Sequence, residues 1–415
     1  MRRTRLPRRS KFPADSKRLP RLRQPFSIEV KCVKPDVVIT PCAGYGEEET
    51  RAALERVLAP LGGLDWVNPG MKIAIKVNLV ASAKPEKAVT THPGLLCPLV
   101  KMLVERGADV VVGDSPGGLF NAAYVNRIYT ATGMKAVEEC GGRLNQNFEE
   151  NQAQFPEGKV CRQFRYTAWL DEADAIIDLC KLKTHGMMAM TCGAKNMFGT
   201  IPGTVKPEYH FRYPDPRDFA RMIVDLDEYF KPRLTIVDAV DCMEGNGPTG
   251  GTPRHMGALL ASESPHKVDL VCAGLIGLKR EEVPTLEAAL ERGLIPASAE
   301  ELTVEGDPAA FVIPDFQRIV TGNSHLFQGD GTSLFKRAKG TVMRWALSQR
   351  PQVKPAKCVG CGVCRNVCPA DAITMVNKKP SINRKKCIRC FCCQEFCPES
   401  AMIVHRTAIA KLLDH

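Results

Sequence analysis

"CVGCGVCRNVCP" (Cys358–Pro369) and "CIRCFCCQEFCP" (Cys387–Pro398) decide how the C-terminal part of this chain folds. In the first run the cysteines are Cys358, Cys361, Cys364 and Cys368, with Pro369 directly after. In the second they are Cys387, Cys390, Cys393 and Cys397, followed by Pro398. Each position moves by 29 residues, and the flanks move with it: "PADAITM" after the first run aligns with "PESAMIV" after the second. Such an internal repeat means two copies of one small unit packed together.

The spacing C-x2-C-x2-C-x3-C-P is that of bacterial iron–sulfur proteins. Soft thiolates select iron–sulfur clusters or zinc over hard cations. A zinc ribbon spreads two C-x2-C pairs over a longer spacer, and a disulfide framework belongs to small secreted chains. Both fit poorly here. In two-cluster ferredoxins the fourth cysteine of each run ligates the other cluster. The expected ligand sets are therefore Cys358, Cys361, Cys364 and Cys397 for one 4Fe-4S cluster, and Cys387, Cys390, Cys393 and Cys368 for the second. Cys392 breaks register and reads as a buried thiol beside a cluster; a ligand swap with Cys393 is the alternative.

Upstream, the chain alternates apolar runs with amphipathic stretches. "DVVIT" (36–40), "MKIAIKVNLV" (71–80), "ADVVVGD" (108–114), "EADAIIDLCKLKT" (172–184) and "RLTIVDAV" (233–240) read as strands. "EEETRAALERVLAPL" (47–61), "GLLCPLVKMLVERG" (94–107) and "DPRDFARMIVDLDEYF" (215–230) read as helices. This alternation predicts an α/β domain with a mainly parallel sheet, followed by a small α+β bacterial-ferredoxin-like domain. The expected domains are a basic disordered tail (1–30), the α/β domain (31–305), a linker (306–352) with a helix at "SLFKRAKGTVMRWALSQRP" (333–351), and the two-cluster module (353–408).

Ligands of open α/β sheets bind beyond the carboxyl ends of the strands. Here those ends are unusually polar and glycine-rich: Asn78 and "THP" (91–93), "DSPGG" (114–118), His185 with "GAKNMFGTIPG" (193–203), and "EGNGPTGG" (244–251). Lys76, Asn78, Lys183, His185, Lys195 and Glu244 are the candidate catalytic residues. Lysine and histidine at such a place suit an anionic substrate or proton transfer near neutral pH. Asp114, Ser115 and Gly117 are candidates to cradle an anion through backbone N–H groups; an Asp-led turn is the structural alternative. Asp238 and Asp241 precede the last loop, and a carboxylate there suits a general base or a divalent metal. A dinucleotide fingerprint, a P-loop, a nucleophile elbow and H-E-x-x-H are all absent.

Composition narrows the setting. The net charge of +11 is concentrated in residues 1–24, which hold ten Lys and Arg against one acidic residue, Asp15. Nucleic-acid binding rests on that tail alone and is not adopted. The tail's "RRSKF" has no apolar region after it, so export is not expected. No apolar run reaches the length of a membrane span. Eighteen cysteines, ten of them outside the cluster ligands, suit a reducing cytoplasm.

"KVNLV", "THP", "GDSPGG", "KLKTH", "GAKNMFGTIPG" and "VDAVDCMEGNGPTGG", in this order, resemble the domain-of-unknown-function family 362 over roughly residues 35–305. The resemblance implies a fold and a frequent C-terminal two-cluster module, and no reaction. A more distant similarity to the nickel-cofactor lactate racemase fold carries no catalytic residue across. The reading is an iron–sulfur oxidoreductase that passes electrons from a redox partner protein to a small-molecule substrate in the α/β domain. The alternatives are an electron carrier or scaffold between proteins, and a non-redox enzyme with structural clusters.

Overall fold

The computed structural model describes residues 34–319 and 349–405. The expected basic tail and the linker helix at 333–351 lie outside those residues, except for the last three positions of the linker sequence.

Nine strands form one mixed sheet. They are β1 (Val37–Pro41), β2 (Lys72–Val77), β3 (Asp109–Gly113), β4 (Arg143–Leu144), β7 (Ala175–His185), β8 (Ala189–Thr191), β9 (Leu234–Glu244), β10 (Thr252–Ser262) and β11 (Val304–Glu305). The hairpin β5 (Glu150–Gln154) and β6 (Gln163–Thr167) stands apart. The sheet order is β11-β1-β10-β9-β7-β2-β3-β4, with β8 folded back on the end of β7. The β9-β7-β2-β3-β4 half is parallel, and β10 runs antiparallel to both β1 and β9. The sheet is therefore mainly parallel, as the alternation predicts.

Burial explains why these strands read so clearly. In β7, "AIIDLCKLKTH", every residue after Ala175 is buried, as a central strand covered on both faces requires. One apolar cluster packs α1 (Glu47–Leu58) and α2 (Pro93–Val104) on one part of the sheet. A second packs the helices Pro265–Leu275 and Pro284–Glu291 on another. Between β8 and β9 lie the one-turn helix Gly193–Asn196, the short helix Lys206–Arg212 and a long amphipathic helix, Pro216–Phe230. Asp215 caps that last helix by accepting from the Arg217 N–H, and Lys231 ends it at φ 44°.

β10, "TPRHMGALLAS", was not expected from the alternation. Pro253 and Gly257 interrupt its apolar pattern, and its register to β9 shifts between His255 and Ala258.

The register of β7 carries its end beyond the neighbouring strand. Val77, the last residue of β2, pairs with Leu179, so β7 runs six residues beyond β2 and pairs there with β8. Lys183 and His185 ride on this overhang.

The C-terminal module has two two-stranded ladders: β12 (Arg350–Val353) with β15 (Met402–His405), and β13 (Ile373–Val376) with β14 (Lys379–Ile382). Two one-turn helices, Val363–Asn366 and Cys392–Glu395, each sit inside a cysteine run. Among the described residues no helix is long and apolar enough to cross a membrane.

Candidate functional site

The strand ends converge on a small polar cavity of about 40 Å³. Asn78, Asp114, Ser115, Gly117, Lys183, His185 and Lys195 all line it, as do Lys206 and Phe198 of the α/β domain. Glu395 and Phe396, from the second cysteine run, close it. The cavity is thus shared between the two modules.

Its floor is a buried polar network. Lys183 donates to Asn78 Oδ1 at 2.9 Å and to the Val89 carbonyl at 2.6 Å. Asn78 Nδ2 donates to Asn196 Oδ1 at 2.9 Å, and Asn196 Nδ2 donates to Asp178 Oδ1 at 2.7 Å. Burial, with Lys195 nearby, pushes the Lys183 ammonium down to about 7. Burial pushes Asp178 up to about 8, against the pull of Asn196 and Lys76.

Lys76 lies beneath the cavity rather than in its wall. Its ammonium donates to the Val77 carbonyl at 2.8 Å and pairs with Asp114 Oδ1 at 2.9 Å; both side chains are almost fully buried. Asp114 also accepts from the N–H groups of Leu79 and Ser115. The pair ties the β2 and β3 loops together.

The anion cradle expected from Asp114, Ser115 and Gly117 is not formed by their backbone. The Ser115 N–H donates to the Gly199 carbonyl and the Gly117 N–H to the Val80 carbonyl, so both donors are already used. The cationic groups that line the cavity are lysines. Lys195 stands 4.7 Å over the Phe198 ring and makes no hydrogen bond or ion pair with a described residue. Lys206 also stands over that ring, at 5.7 Å, and donates to the Ser115 carbonyl. Burial lowers both, Lys206 to about 8.

His185 is held in one tautomer. Its Nδ1 accepts from the backbone N–H groups of Met187 and Met188, both at 3.1 Å, which leaves the proton on Nε2. Burial lowers the ring's affinity for a second proton, against the pull of Glu395. Nε2 lies 2.8 Å from Glu395 Oε1, although the two atoms are not aligned for a hydrogen bond. Burial works against the charge on Glu395, but His185 and Lys195 hold its carboxyl well below the usual carboxylate range.

Other loop residues serve elsewhere. Glu244 is not brought into the cavity: its Oε2 accepts from the Gln317 N–H at 3.0 Å. Asp238 pairs with Lys181 at 2.9 Å and accepts from Tyr45 Oη and the His92 N–H, fixing the start of α2. Asp241 pairs with His255 on the surface.

The glycines of these loops have a second use, which the sequence did not reveal. A Cβ on Gly117 would stand 3.2 Å from the Phe396 ring, and one on Gly186 3.0 Å from Val404 and 3.1 Å from Gln394. Gln394 Nε2 donates to the Asn246 and Gly247 carbonyls, and the Val404 N–H donates to Asn246 Oδ1. "EGNGPTGG" is therefore largely a seat for the C-terminal module.

Within that module the cysteines of the two runs lie near one another. One cavity is lined by Cys358, Cys361, Cys364 and Cys397 together. Cys387 lies within electrostatic reach of Cys390 and Cys368, and Cys393 of Cys390, Cys387, Cys364 and Cys368. The Ala372 N–H points to Cys368 Sγ at 3.2 Å and the Ala401 N–H to Cys397 Sγ at 3.3 Å. Four thiols around a void, with N–H groups aimed at sulfur, fit an iron–sulfur cluster. Cys392 is fully buried, next to Cys390.

Sequence reasoning missed Lys206, Phe198, Glu395 and Phe396. Glu395 carried a faint signal: an acid inside a cysteine run whose first copy has Asn366 at that place.

Comparison with known proteins follows this division. "Domain of unknown function (DUF362)" matches residues 73–274, and "4Fe-4S dicluster domain" matches 350–398. The thylakoid-associated protein sll1697 of Synechocystis sp. is 31% identical over 274 residues, covering 64% of this chain and 82% of that protein. Two solved structures overlap in part, each at 12% identity. The lactate racemase apoprotein of Thermoanaerobacterium thermosaccharolyticum gives a TM-score of 0.38 over 59% of this chain and 58% of its own. A Thermotoga maritima protein gives 0.32 over 51% and 54%.

Proposed function

The chain belongs to the DUF362 family and carries a 4Fe-4S dicluster domain, and on that premise we propose an iron–sulfur oxidoreductase acting on a small anion. Cys358, Cys361, Cys364 and Cys397 hold one 4Fe-4S cluster; Cys387, Cys390, Cys393 and Cys368 hold the second. The clusters, when bound, supply single electrons.

The observation that carries this reading is the shared cavity. Glu395 lies two residues from both Cys393 and Cys397, and its carboxylate faces His185 Nε2 at 2.8 Å. A carrier whose α/β domain only docks has no need to gather three lysines, a histidine and a glutamate at that junction.

The residues divide the work. Lys195 and Lys206 attract and orient the anion, with Phe198 holding both ammonium groups in place. His185 presents its Nε2–H. Lys183, poised near pH 7, can give or take a proton at Nζ. A volume of about 40 Å³ holds a few water molecules, so the substrate is a compact anion or offers only its charged end. Iron–sulfur chemistry and many free thiols suit a reducing compartment such as the cytoplasm.

The test is anaerobic purification, reduction with dithionite, and EPR with iron analysis, where about eight irons per chain are expected. Reoxidation by a panel of small carboxylates and oxyanions is then followed in the wild type, His185→Ala and Lys195→Ala. An anion that reoxidises the wild type but neither variant supports the reading. If only partner proteins accept electrons, the carrier reading replaces it; if the clusters stay reduced with every acceptor, they are structural.

A further inference from the structure

The cavity is the exit of the electron path; the structure also offers an entrance. A groove of about 640 Å³ lies on the C-terminal module, away from the residues that line the cavity. Arg350, Arg384, Lys385 and Arg389 line it, Val353 and Ile382 give it apolar surface, and Cys387 opens into it. The segment Cys387–Cys397 thus starts in the groove and ends one residue past the Glu395–Phe396 wall of the substrate cavity.

We infer that this groove is the docking surface for a small acidic protein that carries single electrons. The inference rests on the electron-transfer reading above and names the partner that feeds it. Charge points to an acidic occupant. Residues 349–405 carry ten Lys and Arg against Asp371, Glu395 and Glu399, and Glu395 faces inward. An apolar surface with a charged rim suits a transient redox encounter, in which charge steers approach and a small contact lets the partner leave. The thiol in the groove favours a redox protein over a nucleic acid. In the transfer one electron leaves the reduced carrier, which is oxidised by one electron, and enters the cluster beside Cys387, which is reduced by one. No bond or proton moves.

A second face competes. Cys361 is exposed, Val359 is 65% exposed, and Lys354 and Lys357 lie nearby in sequence. It has cations, and the cavity that Cys361 and Val359 line is the cluster cavity itself.

The experiment uses the full-length, cluster-loaded protein with a reduced acidic flavodoxin as probe. Binding is measured by calorimetry and cluster reduction by anaerobic stopped flow, each across ionic strength. The variants are Arg384→Glu with Lys385→Glu in the groove, and Lys354→Glu with Lys357→Glu on the Cys361 face. Iron content and EPR spectra confirm that both variants are loaded. The groove variant is expected to lose roughly 10-fold or more in association rate at low salt, with the gap closing at high salt. The other variant is expected to stay within about 2-fold of wild type, the residual long-range charge effect. Equal loss in both, loss only on the Cys361 face, or binding of random-sequence DNA as tight as that of flavodoxin would overturn the inference. Absence of turnover with any small anion leaves this binding result untouched, so the two readings fail separately.

Discussion

The two cysteine runs share a backbone and differ in what surrounds them. Gly360 and Gly362 of the first run have φ 75° and 78°; their counterparts Arg389 and Phe391 have φ 60° and 61°. Asp371 and Ser400 match at 45° and 46°. The loop that wraps a cluster needs left-handed backbone at these points whatever the side chain, and the second run accepts the cost of about 1–2 kcal/mol per residue. Phe391 offsets it by packing, buried, against Gly186. The same holds along the one-turn helices. Arg365 and Asn366 are exposed, whereas their counterparts Gln394 and Glu395 bond the Asn246 loop and face His185. One copy kept its solvent face, and the other became an interface.

The largest effect that would break this contrast comes from the ligands. Cys361→Ala and Cys390→Ala are each expected to cost about half of the bound iron, from about eight to about four atoms per chain. Only Cys390→Ala should also loosen the docked segment, read as faster amide exchange across Phe391–Phe396. Equal exchange in both variants would mean that docking does not depend on the second run's cluster.

Gly186→Val tests the seat itself. Its Cβ meets Val404 and Gln394 at 3.0–3.1 Å, so overpacking should lower stability by about 1–3 kcal/mol in denaturant unfolding. An unchanged midpoint would show that the contact yields freely.

The cavity predicts a pH dependence with a definite sign. Lys183 has its folded pKa lowered to about 7 from 10.5, so between those values the unfolded chain binds the extra proton. Stability therefore rises with pH across about 7–10.5, and the penalty is complete below 7. Anion affinity runs the other way, falling above pH 7 as Lys183 loses its charge. Lys183→Met should flatten both curves, measured by unfolding and by anion titration.

The smallest expected effect is Arg389→Gly. It removes the left-handed penalty of an exposed residue at φ 60° but adds unfolded-state freedom, for a net gain of up to about 1 kcal/mol in thermal unfolding. A matching gain from Phe391→Gly is not expected, because that change also empties a buried site.

The sequence determined the cysteine modules almost completely. Ligand spacing is a local property, and a 29-residue repeat reports the duplicated unit directly. It also determined the parallel half of the sheet, because strands buried on both faces are written as continuous apolar runs. β10 escaped because a bulge and two helix-and-strand breakers erase its period. Tertiary structure alone decided the site. That Lys195 and Lys206 share the Phe198 ring, that Glu244 turns away to Gln317, and that Glu395 meets His185 all depend on contacts between residues far apart in the chain. The glycine-rich strand ends looked like one ligand cradle. They proved to be partly a cavity wall and partly a docking seat, since a glycine records only that something comes close, not what it is.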